Sequence, residues 1–275
     1  MAEPTPERAA EIGVIGGSGF YEFLDQAVEV VQHTPYGAPS APITVGMVRG
    51  RRVAFLPRHG VRHEFPPHRV NYRANLWALR DLGVSRVFGP CAAGSLQPGV
   101  QPGDFVVLDQ LVDRTWGRPD TYIEGPVVSH VTFADPYCPE LAAVVRSQGE
   151  ALEDLRVHAR GTAVVIQGPR FSTRAESTWY RSAGWEVINM TQYPEAYLSR
   201  ELGMCYSGIA LVTDYDTGLE GVEGVEPVSM EAVFRMLARN VARTRQLLFA
   251  AIPGVPATAS CRCHDALASG PFGSS

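Results

Sequence analysis

Six short apolar runs, each closed by a cluster of small and polar residues, constrain this chain more than any other feature. Glu11–Gly17 opens into Gly16-Gly17-Ser18-Gly19, Arg52–Pro57 into Arg58-His59-Gly60, and Arg86–Pro90 into Cys91-Ala92-Ala93-Gly94-Ser95. Gly161–Ile166 ends at Gln167-Gly168-Pro169-Arg170-Phe171-Ser172, Val187–Asn189 at Asn189-Met190-Thr191, and Met204–Val212 at Thr213-Asp214-Tyr215-Asp216. Unbroken apolar runs of this length, punctuated by glycine and proline, predict strands buried on both faces. Two further strands are expected at Ile43–Val48, joined to its successor through Gly50, and at Asp104–Val112.

Helical spacing fills the intervals. His68–Leu82 carries Val70, Ala74, Trp77, Ala78 and Leu82 and stops at Gly83. Glu140–Leu152, Thr173–Ala183 and Pro194–Leu202 follow, and Ser229–Ile252 places Met230, Val233, Phe234, Leu237, Val241 and Leu248 on one stripe. Strands alternating with helices predict an α/β fold: a single domain with a mostly parallel mixed sheet flanked by helices. The 275 residues, 45% of them hydrophobic, suffice for one large core. The domain is expected over 11–253, after a disordered lead-in at 1–10 and before a flexible tail at 254–275.

Composition narrows the function. A net charge of -5 gives no basic field to hold nucleic acid, so an anionic substrate must meet a local cluster of donors. No run of 18 apolar residues suits a membrane span, and the acidic MAEPTPERAA start lacks a signal core, so a cytoplasmic protein without membrane contact is expected. Five scattered cysteines, an odd number, argue against a disulfide framework.

The six loops carry the candidate chemistry, because ligands of parallel sheets collect at the carboxyl ends of strands. Gly16–Gly19 lets backbone amides converge on an anion, with the Ser18 hydroxyl beside them. It is neither a dinucleotide fingerprint nor a phosphate loop of the Walker type, and alone it equally suits a plain turn. Arg58 offers a planar fork for phosphate and His59 a further donor. His59 and His63 stand four apart, yet Gly60, Pro66 and Pro67 oppose a helix there, and no metal site is expected. Small residues at 91–95 permit close backbone approach, and Phe171 suits either stacking on a flat base or the core. Asp214 and Asp216 follow a buried strand, where carboxylates are costly unless they serve a purpose or reach solvent.

Taken together, IGGSGF, RHGVRH, PHRVNYRANLWAL, AAGSLQPGVQPGD, GPRFSTRAE, INMTQYPEA and TDYD resemble, in order, the trimeric purine nucleoside phosphorylase family and its methylthioadenosine-cleaving branch. The likeness runs from about Ile12 to Pro253. It implies that family's nucleoside phosphorylase fold, with phosphate as co-substrate and no metal or organic cofactor. It implies phosphorolysis of 5′-methylthioadenosine to adenine and 5-methylthioribose 1-phosphate, in purine and methionine salvage. It assigns phosphate to Ser18, Arg58, His59, Ala92 and Thr191, and the base to Phe171, Ser172 and the catalytic pair Asp214 and Asp216. Ribose would lie over Met190 and the 5′ substituent against His63, Met230 and Val233, with His130 reaching in from a neighbouring subunit. A homotrimer or a dimer of trimers is the implied assembly. A protonated Asp214 would give a hydrogen bond or a proton to purine N7, which requires a raised pKa.

Alternatives remain open within the family. One is a 6-oxopurine or methylthioinosine phosphorylase, which generally shows Asn where Asp214 stands. Another prefers a 5′-deoxy or 5′-halo nucleoside. A hydrolytic nucleosidase would show a Met-Glu pair where Met190-Thr191 stands, and a nucleoside sensor would need no phosphate donors. Cys91 departs from the branch, which usually carries a hydroxyl residue there, and the loop Gly218–Glu226 is slightly long. Cys261-Arg262-Cys263 resembles the CxC ending of some prokaryotic members, as a labile disulfide or an exposed pair.

Overall fold

The computed structural model describes residues 9–16, 24, 27–126, 129–219, 221 and 230–266. Its strands are β1 (Ile12–Gly16), β2 (Val28–Val30), β3 (Ile43–Val48), β4 (Arg51–Pro57), β5 (Arg86–Ser95), β6 (Phe105–Val107), β7 (Gln110–Arg114), β8 (Val157–His158), β9 (Thr162–Ile166), β10 (Val187–Asn189) and β11 (Cys205–Tyr215). The helices are α1 (Tyr72–Asp81), α2 (Pro139–Glu150), α3 (Arg174–Ser182), α4 (Gln192–Glu201) and α5 (Met230–Ala251). The strands join one mixed sheet in the order β2-β3-β4-β1-β5-β10-β9-β7, with β11 on the other edge of β5, then β6 and β8. The β1–β4, β1–β5, β5–β11, β9–β10, β7–β9 and β6–β8 pairs are parallel, while β2–β3, β3–β4, β5–β10 and β6–β11 are antiparallel. The expected α/β class is the one observed.

The alternation of strand side chains divides the core. Along β11, Ile209 and Leu211 join a cluster with Phe88, Leu141, Leu247 and Leu248, whereas Ala210 and Val212 join one with Leu76, Leu79 and Leu198. Helices α2 and α5 therefore cover one face and α1 and α4 the other. Complete burial of a side chain such as Phe88 stabilises by about 1.5–3 kcal/mol.

Several boundaries differ from expectation for local reasons. Helix α1 starts at Tyr72, not His68, because Asn71 caps it: its Oδ1 accepts the Ala74 amide at 3.2 Å, and Pro67–Arg69 form a separate 3-10 turn. The expected strand 104–112 is two strands; between them the Asp109 carboxylate accepts the Gly161 amide at 3.1 Å, as the chain leaves β11 to pair with β9. Strand β5 does not turn at Cys91 but continues to Ser95, held by β11 throughout. Strand β11 runs past Val212 to Tyr215, with an irregularity between Val212 and Asp214 that re-aims its end. Strands β2 and β8 are too short to mark the sequence. Thr173 and Glu176 close a capping box at α3.

Past Pro253 the chain is packed rather than loose as far as Ala266. Val255, Cys261, Cys263 and Ala266 are buried, and the first three join the cluster beneath α2 and α5. Small polar residues suggested looseness, but three apolar or thiol side chains suffice to dock the segment. No described helix is long and apolar enough to cross a membrane.

Candidate active site

The polar residues gather where strand pairing changes. Strand β5 pairs with β1 as far as Phe88 and with β10 only from Gly94. Between those points its edge has no partner strand among the described residues, and its carbonyls serve side chains instead. Gly89 O accepts from Gln192 Nε2 at 2.8 Å, and Pro90 O from Arg58 Nη1 at 3.1 Å. A cavity of about 880 Å³ opens at this switch point.

The ends of β4, β5, β9, β10 and β11 supply its wall. Arg58, His59, His63, Ala92, Phe171, Ser172, Met190, Thr191, Asp214 and Asp216 all line it, as does Cys91. The structure thus brings together ten of the fourteen residues singled out in the sequence. Ser18 lies outside the described residues. Met230 and Val233 belong to α5, but their side chains are likewise outside the description. His130 is exposed and is not on the wall of its own chain's cavity.

Arg58 is buried at 1% exposure and already committed. Its Nε and Nη2 fork onto the two carboxylate oxygens of Glu195, the second at 2.9 Å, and Ile15 O takes another Nη2 hydrogen at 3.1 Å. With Pro90 O, these contacts occupy four of the five N–H groups. In this arrangement Arg58 has at most one N–H left for an anion, rather than the whole of its planar fork. Burial works to lower its pKa, but the Glu195 carboxylate more than offsets that and holds the guanidinium charged. Tyr206 Oη donates to the same carboxylate at 2.7 Å. That hydroxyl fills the space a Cβ at Gly89 would need, 1.9 Å away, which is why position 89 is glycine.

Glu195, Gln192 and Tyr206 are the supporting residues that the sequence did not reveal. Each sits in an ordinary helical or strand pattern. The available signal was an acidic residue on the face of α4 that packs against the sheet, where a carboxylate requires a buried cation.

His59 donates through Nδ1 to Phe65 O at 2.8 Å, since a carbonyl can only accept. Burial, with the Arg58 charge beside it, lowers its pKa to about 4. The neutral ring therefore carries its proton on Nδ1, and Nε2 is an acceptor rather than the donor expected. His63 stacks beside it with ring centroids 4.5 Å apart. Cys91 is buried and its thiol pKa is pushed up to about 12 by that burial, so it lines the cavity as a neutral group.

On the opposite wall, burial raises the Asp214 pKa to about 6, against the hydrogen bond of 2.5 Å that Thr213 Oγ1 donates to Oδ1; the neighbouring Asp216 pushes it further up. The raised value expected for a proton donor is present. Ser172 Oγ donates to Asp216 Oδ2 at 2.6 Å, so in this state it orients that carboxylate. Asn189 Oδ1 accepts the amides of Thr191 and Gln192 at 3.0 and 3.1 Å, fixing the turn that presents Thr191. Phe171 stands 61% exposed at the mouth.

Comparison with known proteins agrees with this architecture. Residues 11–253 match the family described as the phosphorylase superfamily. An S-methyl-5′-thioadenosine phosphorylase of Mycolicibacterium smegmatis is 56% identical over 91% of this chain and 93% of its own. A purine nucleoside phosphorylase of Streptomyces coelicolor is 54% identical over 94% of each chain. The crystal structure of a methylthioadenosine phosphorylase from an Antarctic soil metagenomic library superposes with a TM-score of 0.89 at 39% identity, covering 96% of this chain and 93% of that one. Fold, cavity and relatives together place this chain in the phosphorylase superfamily.

Proposed function

We propose that this chain cleaves 5′-methylthioadenosine with inorganic phosphate, giving adenine and 5-methylthioribose 1-phosphate. The observation that carries the reading is the opposition of two walls: a permanently charged, pre-organised Arg58 on one, and a carboxyl group with a pKa of about 6, Asp214, on the other. One wall suits a phosphate dianion and the other a leaving purine.

On this reading a phosphate oxygen attacks the anomeric carbon as the bond to purine N9 breaks, through a transition state of oxocarbenium character. Arg58 and the loop amides, with Ser18, Ala92 and Thr191, hold phosphate below the sugar by position and charge. Asp214 gives a proton to N7, so adenine leaves neutral, and Asp216 accepts from the 6-amino group. His59 Nε2 accepts the hydroxyl of monohydrogen phosphate. The phosphate loses a proton and adenine gains one, so the reaction needs neither metal nor organic cofactor. Ribose lies over Met190 and the base stacks at Phe171. His63, Met230 and Val233 meet the 5′ substituent. His130, exposed and away from its own cavity, serves a neighbour in a homotrimer or dimer of trimers. A cytoplasmic location belongs to the same reading.

The test is adenine release from methylthioadenosine with and without phosphate. Release only with phosphate, accompanied by a sugar 1-phosphate, is expected. Equal release without it would make the protein a hydrolase, and better turnover of methylthioinosine would move it to the 6-oxopurine branch.

A further inference from the structure

Four of the five cysteines meet at one point, far along the sheet from the cavity. Cys138 immediately precedes α2, Cys205 opens β11, and Cys261 and Cys263 lie on the docked tail. All four are buried, at 0%, 2%, 8% and 2% exposure, and their sulfur atoms all lie within 4.8 Å of one another. A zinc ion bound to four thiolates at about 2.3 Å spaces its sulfurs by roughly 3.8 Å, so the cluster has the size of such a shell.

A second feature accompanies it. Arg86 is 7% exposed and lies directly against the cluster, with Nη1 3.4 Å from Cys205 Sγ. Its Nε is buried without a hydrogen-bond partner, and its carboxylate counter-ion, Glu140 Oε2, stands 3.7 Å from Nη2, an ion-pair distance too long for a hydrogen bond. Neutral thiols are weak acceptors and reward a buried guanidinium poorly. A tetrathiolate zinc centre carries two negative charges, which would supply Arg86 with a closer counter-charge, on the Cys205 side, than the long ion pair to Glu140.

We propose that Cys138, Cys205, Cys261 and Cys263 hold a structural zinc ion that bolts residues 261–263 to the start of β11 and to α2. Each thiol releases its proton to solvent as zinc gains a sulfur ligand, and no electron is transferred. The ion takes no part in the cleavage: Cys205 and Asp214 stand at opposite ends of one strand. This departs from the absence of metal expected from the sequence, where the four ligands come from three separate segments and only Cys261-Arg262-Cys263 shows a spacing.

The test uses the full chain, untagged, produced with zinc supplied and then dialysed. Elemental analysis should find one zinc per chain, and cobalt substitution should give thiolate-to-metal charge-transfer bands and the strong visible bands of a tetrahedral site. The Cys261→Ser, Cys263→Ser double variant should lose the metal and melt several degrees lower, while still releasing adenine at moderate temperature. Zinc-free wild-type protein whose five cysteines all alkylate on unfolding would overturn the proposal. So would peptide mapping that finds these cysteines joined as disulfides. The wild-type stoichiometry decides the matter even if the double variant fails to fold.

Discussion

Strand β11 buries polar groups at both ends, and the two ends differ in what those groups face. At its carboxyl end, Asp214 and Asp216 are carboxyl groups that each take one hydroxyl donor among the described residues, Thr213 and Ser172, and they face an open cavity. At its amino end, Cys205 lies among three other thiols and Arg86 with the tail packed over them. Unspent hydrogen-bonding capacity in front of a cavity is available to a ligand, whereas a packed cluster can only hold the fold. Substitutions at the carboxyl end should therefore move kinetics, and those at the amino end stability alone.

Glu195 is where that division should break most severely, because it serves both purposes. It is fully buried beneath the cavity and is the counter-ion of Arg58. Glu195→Gln leaves the guanidinium buried without its charge partner, a loss of about 3–5 kcal/mol. Denaturant unfolding should show that destabilisation, and the phosphate KM should rise in the surviving folded protein. An unchanged unfolding midpoint would mean that Arg58 finds its compensation elsewhere.

Asp214→Asn should separate activity from stability in opposite directions. Loss of the acid should lower kcat/KM for methylthioadenosine by at least about tenfold and narrow the preference over methylthioinosine. The folded protein holds Asp214 near 6 against an ordinary 3.8, so above pH 6 its charged form costs on the order of 3 kcal/mol of stability. The Asn variant should then be the more stable protein at pH 8, by up to that amount, and lose its advantage as pH falls through 6 towards 3.8. A variant less stable at every pH would remove the argument that the carboxyl is strained by burial.

The pH profiles sharpen the same contrast. For the wild type, kcat/KM should bend downward above about pH 6 as Asp214 ionises, and the Asn variant should lack that bend; phosphate's own ionisation is common to both. His59 acts oppositely on stability. Its folded pKa of about 4 lies below the unfolded 6.5, so stability present above pH 6.5 is lost as pH falls towards 4. Urea midpoints of Asp214→Asn across pH 4–7 should expose this loss, which Asp214 partly masks in the wild type. A flat profile would show that His59 is not held neutral.

How far these features could be read in advance follows from their range along the chain. The strands and their loops were legible because burial on both faces leaves an unbroken apolar run, as in Ile209–Val212. Asp214 was legible because a carboxylate after such a run violates the pattern. Glu195 was not, because an acid on a helix reads as solvent-facing until α4 is laid on the sheet over Arg58. The edge of β5 that has no partner strand between Phe88 and Gly94 among the described residues is likewise a property of pairing order, which local sequence does not encode. The cysteine cluster joins residues from 138 to 263, and only its last two show any spacing.

The smallest expected effect concerns Cys91, the one thiol that lines the cavity. It lines the cavity beside Arg58, and burial keeps it neutral, so on the proposed reading it would offer phosphate only a weak donor. Cys91→Thr is close in volume and supplies a hydroxyl that can donate to a phosphate oxygen or to a neighbouring carbonyl. A net hydrogen bond contributes about 0.5–1.5 kcal/mol, so the phosphate KM should fall by roughly two- to tenfold with little change for the nucleoside. The corresponding exchange at the other end of the strand, Cys205→Thr, should leave the phosphate KM where it was and lower the melting temperature instead. If Cys91→Thr raised the phosphate KM, the hydroxyl would be turned to the backbone and the thiol would be serving as packing. The contrast between the two ends would then rest on Asp214 and Asp216 alone.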